Sequence, residues 1–420
     1  MAHVRELLKD KNFSLLWFSQ IVSNFGDRLN QMALIGLIYA RTPGSTIELA
    51  KILSFTILPV FLIGPIAGIY VDRWNRKRTM ITCDFIRAGL VVLIPIVCIY
   101  SKTIVPIYIM VFIIFSATRF FLPAKLSIIP DIVDKEKLLL ANSLNSTTMM
   151  IATIIGYGFG GVIVERLGAR GGFFLDSTTY LVSGIMLSFV VLRFKKKVEP
   201  SGPREKIRLI IKRTILGDIK EGFIYLKDHK DIRMVASTMF LIMAGVGSIY
   251  VIIIVFVQEL LHSSTKHLGF LAMFLGAGLF IGSLLYGKFG GKLDKRKVIN
   301  SGLFITGVLI TIFSISLKFY PNFFIAAFFS SLLGMFASPI VVSSNTILHE
   351  VMADKMRGRT FSSIEIIMHI GFLVFMMITS FAAERISKAS ILITIGLIFS
   401  LIGILKLISG ILEEKRKIIS

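Results

Sequence analysis

Charge is scarce in this sequence. Only 17% of its 420 residues are Asp, Glu, Lys or Arg, while 55% are hydrophobic, and the mean hydropathy is +0.79. A soluble chain of this length would lack the polar residues to cover its surface. Acid is scarcer than base, with 25 Asp and Glu against 47 Lys and Arg, a formal charge of +22. Cysteine is nearly absent: the 2 cysteines are Cys83 and Cys98. On one helix that separation is ~22 Å, beyond disulfide reach, and no zinc or redox spacing occurs. There is no phosphate-binding glycine loop, so the chain brings no ATPase of its own. Asp131 and Asp134 have no partners at metal-ligand spacing. No catalytic set is found, and neither an enzyme nor a cofactor nor a metal is expected.

What the chain does have is apolar runs of helical length. Each is long enough to cross about 30 Å of hydrocarbon. They are continuous rather than alternating, which excludes a transmembrane barrel and leaves helices as the spanning element. Twelve spans are expected at 12–40, 47–71, 79–100, 104–124, 140–164, 172–193, 232–258, 268–289, 297–317, 322–347, 360–383 and 389–411. The first run carries polar residues, lacks a small-residue cleavage site and leads straight into further spans, unlike a signal peptide.

Base sorts to one side. Of the 47 Lys and Arg, 34 fall in the terminal segments, the 73–78 run, the 125–137 segment, the 193–233 linker, 288–297, 355–359 and 415–417. The opposite loops hold 9. This asymmetry places both termini in the cytoplasm of a multi-pass protein of the cell inner membrane. It also assigns the net charge to topology and to anionic lipid headgroups at the basic loops, not to nucleic acid. A monomer is expected.

The chain divides into halves, 1–193 and 232–420, joined by a cytoplasmic linker, 194–231, whose Lys195-Lys196-Lys197 start and scattered Ile, Leu and Phe suit an amphipathic surface helix. The halves repeat. Gly68-x-x-x-Asp72-Arg73-x-Asn75-Arg76-Lys77-Arg78 returns as Gly287-x-x-x-Gly291-Lys292-x-Asp294-Lys295-Arg296-Lys297, with the glycine and every basic position at one constant offset. Duplicated membrane halves point to a transporter alternating about a central site. Gly68 would permit close packing or a tight exit, and Asp72 would latch the cytoplasmic side by pairing with base or a helix N-terminus. Arg73, Arg76, Lys77 and Arg78 would gate with it or simply mark the inside.

The first of these loops resembles the signature loop of the major facilitator superfamily, with Asn75 where the family form has glycine. Pro123-Ala-Lys-Leu-Ser-Ile-Ile-Pro130-Asp131-Ile-Val133 with Leu140-Ala141-Asn142-Ser143-Leu144 resembles the branch holding macrolide and siderophore exporters. So do Asn24-Phe25-Gly26-Asp27 and Phe174-Leu175-Asp176-Ser177-Thr178-Thr179-Tyr180. The bacterial lysophospholipid flippases share the Phe-Gly-Asp opening. The resemblance implies an all-α major facilitator fold of twelve helices in two six-helix bundles.

Within the spans, polar residues concentrate in the first. Gln20, Asn24, Asp27 and Gln31 share one helix face, with Arg28 beside it. Asp27 lies ~22 Å along the span, where an ionisable group is costly and marks a functional cavity. It is the expected proton carrier unless Arg28 holds it charged. Glu365 and His369, four apart in span 11, are a second proton-relay candidate. Arg119, Asn142, Asn145 and Asn345 are candidate cavity-lining residues with Asn24, Arg28 and Gln31. Asp84 and Arg87 sit near the cytoplasmic end of span 3, where Asp84 could meet the 73–78 cluster and arginines could snorkel. Asp176 could gate the outer mouth or be a hydrated helix-end carboxylate. Gly156, Gly158, Gly160 and Gly161 in span 5 mark close helix packing or, as the resemblance implies, a partial copy of the glycine-rich motif of the superfamily's antiporters.

These features suggest export of a small amphipathic or lipophilic molecule against protons, with a lysophospholipid flippase as the alternative. The charge asymmetry makes a direct prediction. Single cysteines placed at residue 200 or 415 should resist an impermeant thiol reagent in intact cells and label only after permeabilisation. Labelling from outside would invert the topology.

Overall fold

The computed structural model describes residues 2–71, 73–101, 103–192, 221, 224, 230–351 and 357–419. Among them there is helix and no strand: α1 Ala2–Lys9, α2 Lys11–Arg41, α3 Thr46–Leu62, α4 Gly64–Val71, α5 Arg76–Tyr100, α6 Val105–Ile132, α7 Leu138–Ser188, α8 Lys230–Leu261, α9 Lys266–Phe289, α10 Lys295–Phe319, α11 Phe323–Val351, α12 Arg357–Ala383 and α13 Lys388–Ile419. Backbone in hydrocarbon must satisfy its own hydrogen bonds, and helices do so within each segment.

By length and composition, 9 helices among the described residues qualify as membrane spans. One of these is two spans, because α7 breaks at Gly168, whose φ of 71° is left-handed. A glycine adopts that conformation without steric cost, so the chain reverses there with no separate loop. The polar face of α2 lowers its hydropathy, and α3 and α4 are one span interrupted at Ile63, just beyond Pro59. Counting these gives the twelve helices of the expected fold.

Two boundaries differ from the sequence expectation. The fourth span does not end at 124, since α6 runs through Pro123 and Pro130 to Ile132. Prolines inside membrane helices are tolerated when neighbouring groups satisfy the freed carbonyls. Lys125, counted above with a cytoplasmic loop, is therefore a buried helical residue. The repeated loop also acquires a structural meaning. Asn75 caps α5, its Oδ1 accepting from Arg78 N at 3.0 Å. Asp294, its counterpart in the second copy, caps α10, accepting from Arg296 N at 2.7 Å and Lys297 N at 3.3 Å. The departure from glycine at Asn75 thus supplies a helix cap.

The chain forms two compact units, one of Met1–Arg41 and Lys51–Gly217, the other of Thr42–Ala50 and Asp218–Ser420. Both use one pairing scheme. In the first, α2 and α5 pack along α7, and α4 meets α6. In the second, α8 packs on α12, α9 on α11 and α10 on α13. Phe13, Leu16, Met80, Phe121, Ile128 and Leu187 fill a core of the first unit. Leu303, Ile340, Ile347, Leu348 and Ile364 fill one in the second. The linker helix expected at 194–231 and Asp72 lie outside the described residues, apart from 221, 224, 230 and 231.

The short segment Thr42–Ala50 is bonded within the second unit to Glu384 and the Ser380 carbonyl. Glu384 Oε1 accepts from the Ser45 hydroxyl at 3.1 Å, the Thr46 hydroxyl at 3.2 Å and the Ile47 N–H at 3.3 Å, capping the start of α3. The Thr46 hydroxyl also donates to the Ser380 carbonyl at 2.7 Å. Partial burial opposes ionisation of Glu384, but these donors outweigh it and hold the carboxyl below its usual value. The ionised cap is therefore intact above the ordinary glutamate pKa of about 4.3 and is lost as pH falls through the depressed value. Glu384→Ala should raise hydrogen exchange at Ile47–Leu49 roughly fivefold, the loss expected for a helix cap of about 1 kcal/mol. Acidification through the depressed pKa should do the same to wild type and leave the variant unchanged.

Candidate functional site

The first unit encloses a polar network where α2, α5, α6 and the second half of α7 converge. At its centre is Arg87, 1% exposed. Its guanidinium lies between two aromatic faces, 4.4 Å from the Phe121 centroid and 4.3 Å from that of Tyr180. It hydrogen-bonds to the Asp84 carboxylate, one turn back on α5, and stands 3.7 Å from Asp27 Oδ1. Asp84 is fully buried and accepts a second bond, from the Ser183 hydroxyl at 2.7 Å. Asp27 accepts from the Tyr180 hydroxyl at 2.5 Å.

Asp176 lies behind Asp27 and is also fully buried. Asn30 Nδ2 donates to its Oδ2 at 2.6 Å. Thr179 Oγ1 lies 3.3 Å from its Oδ1. The two helices meet closely at this point because residue 26 is glycine. A methyl group there would overlap Thr179 Oγ1 and lie 2.5 Å from Asp176 Oδ1. The Asn24–Asp27 and Phe174–Tyr180 motifs, far apart in sequence, are thus the two sides of one helix contact. Lys125 on α6, 4% exposed, faces the same cluster within electrostatic reach of Asp27 and Arg87.

A second polar group stands further along α2. Arg28 turns away from Asp27 and donates to Tyr157 Oη at 3.1 Å and Gln31 Oε1 at 3.4 Å, and Tyr157 donates to Gln31 at 2.5 Å. The Arg28 stem rests on Gly156, where a side chain would intrude, and Gly160 brings α7 against Leu29. One helical turn from this triad begins an apolar groove of about 520 Å³ between α2 and α7. Trp17, Ile21, Val22, Phe25, Ile151 and Ile155 line it, and the Trp17 indole donates to Thr148 at 3.0 Å beside it.

Several expected residues occupy other positions. Asp84 does not meet the 73–78 cluster, and Arg87 does not snorkel: each is the other's buried partner, one turn apart on α5. Asp176 is not an exposed helix-end carboxylate: it is fully buried within the first unit. The second half of α7 carries it ~12 Å past the Gly168 turn, into the helix interior. A methyl group at Gly68 would meet nothing within 4 Å among the described residues. Arg76 pairs with Asp131 at 2.7 Å and Lys77 donates to the Ser188 carbonyl at 2.6 Å, tying α5 to its own unit. Arg73 is in the turn before α5. His369 meets the main-chain carbonyl of Glu365 at 2.8 Å rather than its carboxylate, and Glu365 is exposed. Asn24 is buried on α2, Arg119 half-buried on α6, Asn145 half-buried, and Asn142 and Asn345 exposed.

Sequence reasoning gave no role to Asn30, Lys125, Tyr157, Tyr180 or Ser183. Tyr180 and Ser183 follow Asp176 at helical spacing, a signal that could have placed them on its face. Lys125 and Tyr157 had none that separates them from loop or core. The close contact at residue 26 is directly testable. Gly26→Ala should destabilise the detergent-solubilised protein by about 1–3 kcal/mol, the usual cost of overpacking, read as a lower thermal midpoint. Adding Thr179→Ala should recover part of that loss.

The comparisons with known proteins agree with this architecture. Residues 6–415 match the family model described as transmembrane secretion effector. The MFS-type transporter YkuC of Bacillus subtilis (strain 168) is 26% identical, the match covering 84% of this chain and 81% of that protein. Macrolide efflux protein A of Streptococcus pyogenes is 22% identical over 89% of this chain and 90% of its own length. The multidrug efflux pump Tap of Mycolicibacterium fortuitum is 21% identical over 82% of each chain. Among solved structures, a bacterial homologue of the iron transporter ferroportin in the inward-facing state superposes with a TM-score of 0.70 at 13% identity, covering 95% of this chain and 99% of that one. Such a likeness shows the fold. The chain is not an enzyme; it belongs to the transmembrane secretion effector family of major facilitator superfamily transporters.

Proposed function

We propose that this transporter exports an amphipathic or lipophilic small molecule by alternating access and exchanges it for protons at Asp27. The observation that carries the reading is the exposure of Asp27. Its side chain is 29% exposed, whereas Asp84 and Asp176 are fully buried. Asp27 is therefore the face of the buried network that solvent can reach. A carboxylate held beside a guanidinium, with a tyrosine hydroxyl on one oxygen, can release or take a proton as that pairing changes.

Three further observations support the reading. The 520 Å³ groove lined by Trp17, Phe25 and Ile151 suits an apolar substrate. The Arg28–Gln31–Tyr157 triad at its end offers donors and acceptors for a polar group on the same molecule. The chain has no nucleotide-binding motif, so uphill export needs an ion gradient. The relatives named as efflux proteins favour outward transport. The basic loops and both termini would face the cytoplasm and the anionic lipids of that leaflet.

Asp27→Asn should abolish accumulation driven by an imposed pH gradient in proteoliposomes, while substrate counterflow, which moves no net proton, persists. Accumulation by the Asn variant at the wild-type rate would remove Asp27 from coupling. Wild-type protein that ignores the gradient but scrambles lysophospholipid would establish the lipid-facilitator alternative instead.

A further inference from the structure

The network holds three carboxyl groups, on Asp27, Asp84 and Asp176, and two cations, Arg87 and Lys125. With every group ionised it would carry one uncompensated negative charge inside the membrane domain. Such a charge is removed most cheaply by binding a proton. The geometry decides which carboxyl binds it.

Asp84 is excluded by direct contact with Arg87 and by the Ser183 hydroxyl. Asp27 has Arg87 at 3.7 Å, the Tyr180 hydroxyl at 2.5 Å and access to solvent. Asp176 has none of these. Its side-chain partners are the neutral Asn30 amide and Thr179 hydroxyl. The charged side chains that face it are Asp27 on α2 and Arg87 on α5, and Arg87 is already committed to Asp84 and Asp27. Tyr180, one turn along the same helix, directs its hydroxyl to Asp27.

The hydrogen bonds fit a neutral acid atom by atom. Thr179 Oγ1 donates its proton to the main-chain carbonyl of Asp176 at 2.7 Å. Toward the carboxyl, 3.3 Å away, the same oxygen can then act as an acceptor. A proton on Oδ1 would donate to Thr179 Oγ1, leaving Oδ2 as the carbonyl oxygen that accepts from Asn30. On a further side α2 comes close at Gly26, where an added methyl group would lie 2.5 Å from Oδ1.

We propose that Asp176 is a second proton-binding carboxyl of this transporter, holding a proton behind Asp27. The transport role of that proton rests on the proton-coupled reading of Asp27, but its presence does not. Infrared difference spectroscopy on the full-length protein in lipid, at pH 7 across hydrogen–deuterium exchange, reads it directly. Wild type should show the carbonyl stretch of a neutral carboxylic acid. That band should vanish in Asp176→Asn, remain in Asp27→Asn, and shift in frequency in Asn30→Ala, which removes the donor to Oδ2. The last variant keeps the test intact if Asp176→Asn fails to fold. Absence of the band in wild type, its survival in Asp176→Asn, or an unmoved band in Asn30→Ala would each overturn the proposal. In proteoliposomes, Asp176→Asn should also lose gradient-driven accumulation, and accumulation at the wild-type rate would overturn the transport role of the second site. Wild-type flux that ignores the gradient, with the band behaving as expected, would refute proton coupling and leave the protonated Asp176 standing.

Discussion

The buried acidic network of the first unit is arranged around one guanidinium. Arg87 cannot give up its charge, and an isolated ion of that kind in low dielectric costs several kcal/mol even after the protein relaxes. The fold answers with Asp84 on the same helix, Asp27 from α2, and the faces of Phe121 and Tyr180. These groups come from four different spans, so α2, α5, α6 and α7 must keep their register for the charge to stay compensated. Removing one partner from a buried pair costs about 3–5 kcal/mol. The transporter's polar site and the stability of its first bundle are for that reason the same set of contacts.

That coupling explains why α2 and α7 carry small residues where they cross. Helices in lipid gain little from burying apolar surface against each other and rely on close packing and interhelical hydrogen bonds. Gly26 admits the Asp176–Thr179 side chains, and Gly156 admits the stem of Arg28. The same faces then have depth left over for an apolar groove lined by Trp17 and Phe25.

The second unit repeats the helix pairing but not the chemistry. Its helices cross on glycines set against backbone, such as Gly278 on Ser331 and Gly307 on Gly396. Its described spans hold no buried acid. Glu365 is exposed, and His369 turns to a main-chain carbonyl. Duplication preserved what the fold needs, including the Asn75 and Asp294 caps at matching positions. Among the described residues, the buried ionisable set is confined to one copy, so the two halves share a frame and differ in charge.

The sequence by itself determined the class, the twelve spans, the duplication and the mid-span acid on α2. Each is written in local terms that survive without tertiary contacts: hydropathy over the length of one span, a constant offset, a helical spacing of three and four. It could not decide partnerships. Asp27 beside Arg28 looks like a candidate pair in one dimension, yet neighbours on a helix point about 100° apart. Asp27 instead faces Tyr180 and Arg87, while Arg28 faces Tyr157. Asp176 looked like a helix-end carboxylate because a loop was expected just before it; the single left-handed turn at Gly168 carried it into the interior instead. Lys125 looked cytoplasmic because the fourth span was expected to end at 124, and α6 ran on through Pro123 and Pro130 to Ile132. In each case the deciding quantity was burial, which depends on what other segments place around a side chain, and only the assembled bundle supplies that.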